Sequence, residues 1–444
     1  MKNNHAVLCM AVALPFATSA VFAQNQAPTQ PVVEDAYTLK VPAAPASQVG
    51  GTPYELKGTT ISGATTAPSQ PILTSPVGDA AAYKTDSGVY LYPTAFVGMG
   101  YNDNLQTSST NKISSSMVNL APQLIAEMKH KGDRYTALVS VNNVNYASST
   151  ADNSTNSELK IAGDNYFTAR ARAAWSLGQV RSTDPRGANN RPISAEPDRW
   201  TSNNVDGRFI YGAPEAQGRL EFDLGSTNKT YDNTRATTTV ADVAVGSYAT
   251  RLFYRLGTRS LLLGEYRNAK ANYASALSTD SNTENRYYVG LTWDATAATT
   301  GIIKLGRMTK DFDTAGKGGF GGDSWEGSVR WAPLTYSAFD FQTSRSAADS
   351  TGFGNYSLLT TNNVTWNHKW TRSLTTRASV GLVKTDFGGT TRSDSATNYS
   401  LTVDYAVLRW LKIGIDWSGT DSTSNVPTGE FNRNVTMFTL NASL

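Results

Sequence analysis

The chain has 444 residues, of which 39% are hydrophobic and 10% aromatic, with a single cysteine and a formal net charge of +3. That length would house two ordinary soluble domains, but so low an apolar share argues against two large cores and fits either disorder or a wall that is greasy on one side only. The small positive charge is scattered and not clustered, which excludes a nucleic-acid footprint, and no run of 18 apolar residues beyond the N-terminal segment marks a transmembrane helix.

In chain order, Lys2, the apolar residues 6–16 and the small-residue run Ala20-Val21-Phe22-Ala23 predict a secretory signal peptide over 1–23, cleaved after Ala23. Cys9 lies inside it, too early for lipid attachment, so the mature chain is expected to carry no cysteine and no disulfide. Residues 24–84 hold Pro28, Pro31, Pro42, Pro45, Pro53, Pro68, Pro71 and Pro76 among many Ala and Thr, without a period of 2 or 3.6. They read as a flexible, disordered periplasmic arm; the other reading is an ordered extension that plugs a barrel.

From Val89 onward a period of 2 takes over. Leu220, Phe222 and Leu224 alternate with Arg219, Glu221 and Asp223. Tyr287, Val289, Leu291 and Trp293 alternate with Arg286, Tyr288, Gly290 and Thr292, and Leu411, Ile413, Ile415 and Trp417 with Lys412, Gly414, Asp416 and Ser418. Successive strand residues point to opposite faces, so one face is apolar and aromatic and the other polar. A soluble sandwich would also alternate. Here the pattern recurs over most of the chain, Tyr and Trp gather near segment ends as an interface girdle would, and connections alternate in length.

Short connections are predicted at 129–132, 171–174, 212–217, 256–259, 294–298, 332–335, 370–373 and 409–411. Long polar ones are predicted at 102–114, 147–156, 183–198, 231–239, 275–284, 313–322, 347–354, 388–396 and 420–429. Short periplasmic turns and long external loops are the pattern of an outer-membrane barrel. With a first strand at 89–101 and a last at 431–444, the prediction is an all-β, transmembrane, antiparallel up-and-down barrel of about 18 strands over 85–444. The last strand alternates through Phe438, Leu440, Ala442 and Leu444, with Leu where such strands usually end in Phe.

No catalytic constellation is expected, nor a cofactor or metal. Of three histidines, His5 lies in the signal, and His130 and His368 sit near short turns without ligand partners, as interface residues. Gly316-Lys317-Gly318-Gly319-Phe320-Gly321 matches a dinucleotide-binding pattern, but an alternating strand follows where a helix is required. Asp152, Asn153, Asn156 and Glu158 offer oxygens that calcium could use, although a solvated loop explains them as well.

The interior carries the informative signal. Parity aims Arg208, Arg219, Arg251, Arg255, Arg267, Arg286, Lys304, Arg330, Arg377 and Lys412 inward, together with Glu221, Asp223, Glu265, Glu326, Asp340, Asp404 and Asp416. A basic side chain facing lipid at mid-depth costs roughly 2–4 kcal/mol, which selects this parity. Two readings stay open: the charges pair and brace the wall, or the arginines line a hydrophilic path for a polar or anionic solute. Arg307 shares parity with Ile303 and Leu305 and breaks the pattern, through a bulge or by lying at an interface.

Specific stretches resemble a known family. They are Gly88-Val89-Tyr90-Leu91-Tyr92-Pro93, Gly98-Met99-Gly100-Tyr101-Asn102-Asp103-Asn104, Asp184-Pro185-Arg186-Gly187, Glu196-Pro197-Asp198-Arg199, Tyr211-Gly212-Ala213-Pro214 and Thr300-Gly301-Ile302-Ile303-Lys304-Leu305-Gly306-Arg307. From Gly88 to Leu444 the chain resembles the putative β-barrel porin 2 family, especially the EpsL-like branch of exopolysaccharide operons. The resemblance implies a part in exporting a polysaccharide, with outer-membrane lipid and lipopolysaccharide around the barrel and polysaccharide and periplasmic export machinery as partners. The strand number is also similar to that of the alginate-export barrel, a likeness of fold. A diffusion porin for small polar solutes and a structural barrel with a closed lumen are the alternatives.

Overall fold

A computed structural model describes residues 83–186, 194–296, 298–349 and 352–443. The predicted signal peptide, nearly all of the predicted arm and Leu444 lie outside these residues. β1 (Tyr83–Lys84) pairs with the start of β2 (Tyr90–Asn102). Then follow β3 (Ser115–His130), β4 (Asp133–Tyr146), β5 (Ser154–Tyr166), β6 (Ala171–Asp184), β7 (Asp198–Tyr211) and β8 (Gly218–Tyr231). The middle strands are β9 (Val243–Arg255), β10 (Ser260–Tyr273), β11 (Asn282–Thr296), β12 (Thr299–Phe312), β13 (Phe320–Leu334) and β14 (Ser337–Asp349). The last are β15 (Tyr356–Lys369), β16 (Leu374–Phe387), β17 (Ser393–Leu408), β18 (Leu411–Ser424) and β19 (Phe431–Ser443). Each of β2–β19 pairs antiparallel with the next, and β19 returns to β2, from Val435↔Asn102 to Ser443↔Thr94, closing a barrel of 18 strands. Closure leaves no unpaired edge facing lipid.

The apolar parity is the outer one. On β12, Ile303 and Leu305 are exposed while Lys304, Met308 and Lys310 are buried. Leu220, Phe222, Leu224, Leu252, Tyr254, Tyr287 and Val289 are exposed on neighbouring strands in the same way. In water such a surface would be unstable; in lipid it is the expected outside. An outer row of rings runs across three strands, with Tyr248 and Tyr266 5.9 Å apart and Tyr266 and Tyr287 4.9 Å apart. Tyr287 lies directly opposite Arg307 in an unbroken stretch of ladder. Arg307 is therefore not displaced by a bulge. It sits level with a girdle row, where a basic head can reach the headgroups.

The predicted turns hold with one shift and several shortenings. Residues 171–174 belong to β6, and the turn is at 167–170, where the Thr168 hydroxyl accepts the N–H groups of Arg170 (3.1 Å) and Ala171 (3.0 Å). The run of small residues imitates a turn, but Ala171 pairs with Tyr211 and Arg172 with Ile210. Two external loops are shorter than predicted, since 347–349 belong to β14 and 393–396 to β17, and the one predicted at 231–239 is longer, reaching Asp242 before β9 begins. Alternation in hydrophobicity reports only the lipid-embedded part of a strand. A 14-residue strand such as β12 extends about 46 Å at roughly 3.3 Å per residue, about 33–38 Å of height at a tilt of roughly 35–45°, whereas the apolar band is only about 25 Å tall. The rest continues as polar strand above the membrane.

The glycine-rich motif near the first strand is the closing seam. A Cβ on Gly100 would collide with the Thr436 carbonyl oxygen, so only glycine lets β2 approach β19 there. Asp103 accepts the Asn434 backbone N–H at 2.7 Å and its amide at 2.9 Å. The Asn104 amide donates to the Asn432 carbonyl at 2.8 Å. The same loop turns Leu105 and Ile113 onto an inward cluster of Met117, Val144, Tyr146, Val435 and Met437, which parity reasoning missed because it took apolar residues as outward.

Candidate functional site in the barrel interior

The candidate site is the inner wall of β7–β14. Register places opposite charges face to face across neighbouring strands: Arg208↔Asp223, Glu221↔Arg251, Arg251↔Glu265, Lys304↔Glu326 and Arg330↔Asp340. Cross-strand neighbours on one face are the pairs that interact in a sheet. Arg208 holds Asp223 through two bonds of 2.8 and 3.1 Å. Arg251 reaches Asp223 at 2.7 Å, Glu265 at 3.2 Å and Glu221 at 3.3 Å. Arg219 lies 3.1 Å from Glu221 and stacks over Phe253 at 4.2 Å.

Further along, the array becomes a lattice. Arg267 and Arg286 stand opposite one another on β10 and β11, a like-charge juxtaposition. Glu326 reaches from β13 past β12 to separate them, accepting from Arg267 at 2.7 and 2.9 Å and lying 3.7 Å from Arg286. Lys304 joins Glu326 to Glu265. Arg286 also holds Glu284, and Lys310 joins Glu284 (3.4 Å) to Asp349 (2.6 Å). Arg267 is 1% and Arg286 2% exposed, so nearly all their charge is balanced by protein carboxylates and not by water.

The other predicted interior residues are more dispersed. Arg255 donates to the Ala216 and Thr258 carbonyls at 3.3 and 3.0 Å and to that of Pro214, which ties down the turns at 212–217 and 256–259. Arg330 meets Asp340 at 3.1 Å on a more open patch. Arg377 donates to the Asn367 side chain at 3.1 Å. Asp404, Lys412 and Asp416 share the inward parity on β17 and β18. Glu284, Lys310 and Asp349 were not singled out from sequence. The first two share parity with Arg286 and Lys304 and were legible; Asp349 depends on an irregularity in the ladder.

Away from the interior, His368 lies on the outer face among Trp366, Trp370 and Tyr336, with ring centroids at 5.1, 4.3 and 5.5 Å. That is a girdle cluster at the short-turn end. Both Asp152 oxygens are held by Arg186, at 2.7 and 2.6 Å. This hydrogen-bonded carboxylate raises the already high pKa of the Arg186 guanidinium. Thr183 donates to Asn156. Asp152 and Asn156 are thus engaged by protein partners, and among the described residues no group of His, Cys, Asp and Glu is placed to hold a metal. The glycine-rich run ends in β13, not in a helix.

The architecture is similar to that of OccAB3 of Acinetobacter baumannii, at 9% identity over 81% of this chain and 99% of that one, with a TM-score of 0.47. It is also similar to OccK2 (OpdF) of Pseudomonas aeruginosa in complex with glucuronate, at 10% identity over 82% of this chain and 100% of that one, TM-score 0.47. A bacterial polysaccharide outer membrane secretin is similar at 7% identity over 80% of this chain and 98% of that one, TM-score 0.35. No curated protein matches in sequence. Residues 86–444 match one family throughout, so that the protein is an outer-membrane, porin-like β-barrel. The chain belongs to the family described as "Putative beta-barrel porin 2".

Proposed function

We propose that the barrel is an outer-membrane conduit, or an accessory of one, in exopolysaccharide export. The observation that carries this reading is the continuous array of paired charges along the interior of β7–β14. A barrel of 18 strands encloses a wide interior. The more open ion pairs of this wall, Arg208–Asp223 and Arg330–Asp340, present donors and acceptors of both signs to a hydroxyl-rich polymer without holding it at one site, which passage requires. The array does not form a one-sign ring, so the positive path expected from the arginines alone becomes a mixed one. Bracing and passage are then served by the same residues.

The family's porin description favours a second reading, a diffusion channel for small polar solutes. Deleting the gene separates the two. Under the export reading, surface polysaccharide is lost while permeability to small sugars stays unchanged. Unchanged polymer with slower uptake of small solutes would sink export and leave the porin.

A further inference from the structure

The ladder between β13 and β14 is incomplete. It runs from Trp331↔Phe339 to Trp325↔Arg345 and stops, although both strands continue. Beyond it, β13 still pairs with β12 up to Lys310↔Phe320, and β14 still pairs with β15 up to Asp349↔Tyr356. Side chains replace the missing backbone bonds: Ser324 donates to the Arg345 carbonyl at 2.6 Å, and Arg345 donates to that of Asp323 at 3.3 Å.

The end of β14 turns inward instead. The Ala347 N–H meets the Met308 sulfur on β12 at 3.4 Å, and Ala347, Ala348 and Asp349 are all buried. Asp349 is held by three strands at once. Lys310 lies 2.6 Å from it, the Asn282 amide donates at 2.9 Å and the Tyr273 hydroxyl at 2.7 Å. Small residues make room: Gly322 stands opposite Met308, and alanines follow on β14.

We propose that Asp349 is a latch holding the external end of β14, from Ser346 to Asp349, together with its ladder partners Tyr356 to Leu359 on β15, as a flap folded inside the barrel mouth, and that release lets the β14 edge of the flap zip onto β13 and widen the mouth. Continuing the observed register sets Ser324 against Ser346, Asp323 against Ala347 and Gly322 against Ala348, so β13 already presents a strand edge for the flap to join. Release does not strand the cation. Lys310 keeps Glu284 at 3.4 Å and the Asn282 side-chain oxygen Oδ1 at 2.9 Å. A buried cation that keeps its acceptors in both arrangements is what a two-state element requires at this point.

The widening rests on the conduit reading; the latch itself does not. The test is a disulfide between Asp323→Cys and Ala347→Cys in the full chain, with Cys9→Ser, in outer membranes. In the latched state Asp323 is on the exposed face and Ala347 is buried against Met308, so the two cannot join. When zipped they are opposite neighbours, within disulfide range. Under oxidation, the bond should form at least about tenfold faster when Asp349→Ala or Lys310→Met is added, since a tenfold ratio corresponds to only about 1.4 kcal/mol of altered balance. Asp349→Asn, which keeps an acceptor, should give an intermediate rate. Equal rates with and without the latch residues would overturn the proposal, as would failure of the bond to form in both released variants. Once formed, the disulfide should raise single-channel conductance, and reduction should reverse the rise; an unchanged conductance would overturn the widening. A barrel that conducts in neither state removes the conduit reading, while the cross-linking rates still decide the latch.

Discussion

At the scale of single residues, Glu326 is the point on which the interior array depends. It compensates Arg267, Lys304 and Arg286 together. Removing one member of a buried ion pair costs about 3–5 kcal/mol because the partner charge stays behind. Glu326→Gln should therefore lower the thermal unfolding transition of the purified barrel far more than Asp340→Asn, whose partner Arg330 is 39% exposed. Equal effects would mean that the array contributes little to stability. The outer face gives a paired prediction. Ile303 is 42% exposed, midway between Arg307 and the start of β12 at Thr299, and Ile303→Arg should cost roughly 2–4 kcal/mol, whereas Arg307→Leu, level with the tyrosine row, should change stability by about 1 kcal/mol or less. Reversible folding into lipid vesicles measures both. Sequence parity identified Arg307 as the exception; only register showed that it stands beside Tyr287.

At the scale of elements, the closing seam and the turns carry the expectations. Asp103 and Asn104 join the first loop to β19 through Asn432 and Asn434. Asp103→Ala with Asn104→Ala removes charge-assisted and neutral bonds each worth about 1–3 kcal/mol. The doubly substituted chain should lose its compact form on unboiled gels at a lower temperature than the native chain. An unchanged transition would show that the ladder alone holds the seam. The Lys131-Gly132 turn has φ of 51° and 95°, the geometry of a tight hairpin in which both central residues are left-handed. Orientation follows from the loops. An epitope inserted within 274–281 should be labelled on intact cells, and one within 212–217 only after lysis. The opposite result would invert the barrel. Strand number and order were legible because each hairpin contributes its own alternating segments. Strand ends were not, since above the lipid the residues are polar on both faces and the backbone ladder alone decides where pairing stops.

At the scale of the whole molecule, charge balance decides what the interior can discriminate. Arg208, Arg251, Arg267 and Lys304 are each within reach of a carboxylate. Their field is therefore short-ranged, and at physiological ionic strength the Debye length is only about 8 Å. Planar-bilayer recordings should show weak ion selectivity that declines further as salt is raised. Strong anion selectivity persisting at high salt would contradict a mixed wall. Neutralising Arg330 and Arg377, the more open cations, should move selectivity more than neutralising Arg267.

The sequence by itself determined the fold class, the strand order and the face on which most of the strand charges lie, Asp349 excepted. All three follow from one-residue alternation and the cost of putting charge in lipid. Parity cannot say how far along the wall two inward residues stand from one another, because that depends on the stagger between strands. Only the tertiary structure therefore decided that Glu326 would separate Arg267 from Arg286, that Arg251 would hold three carboxylates, and that the arginines form a braced lattice and not a ring. The incomplete ladder at β14 was likewise beyond reach. Its sequence beyond Phe341 is polar or small on both faces, and it bends inward where Asp349 finds Lys310, Asn282 and Tyr273 on strands that meet it only after the barrel curves.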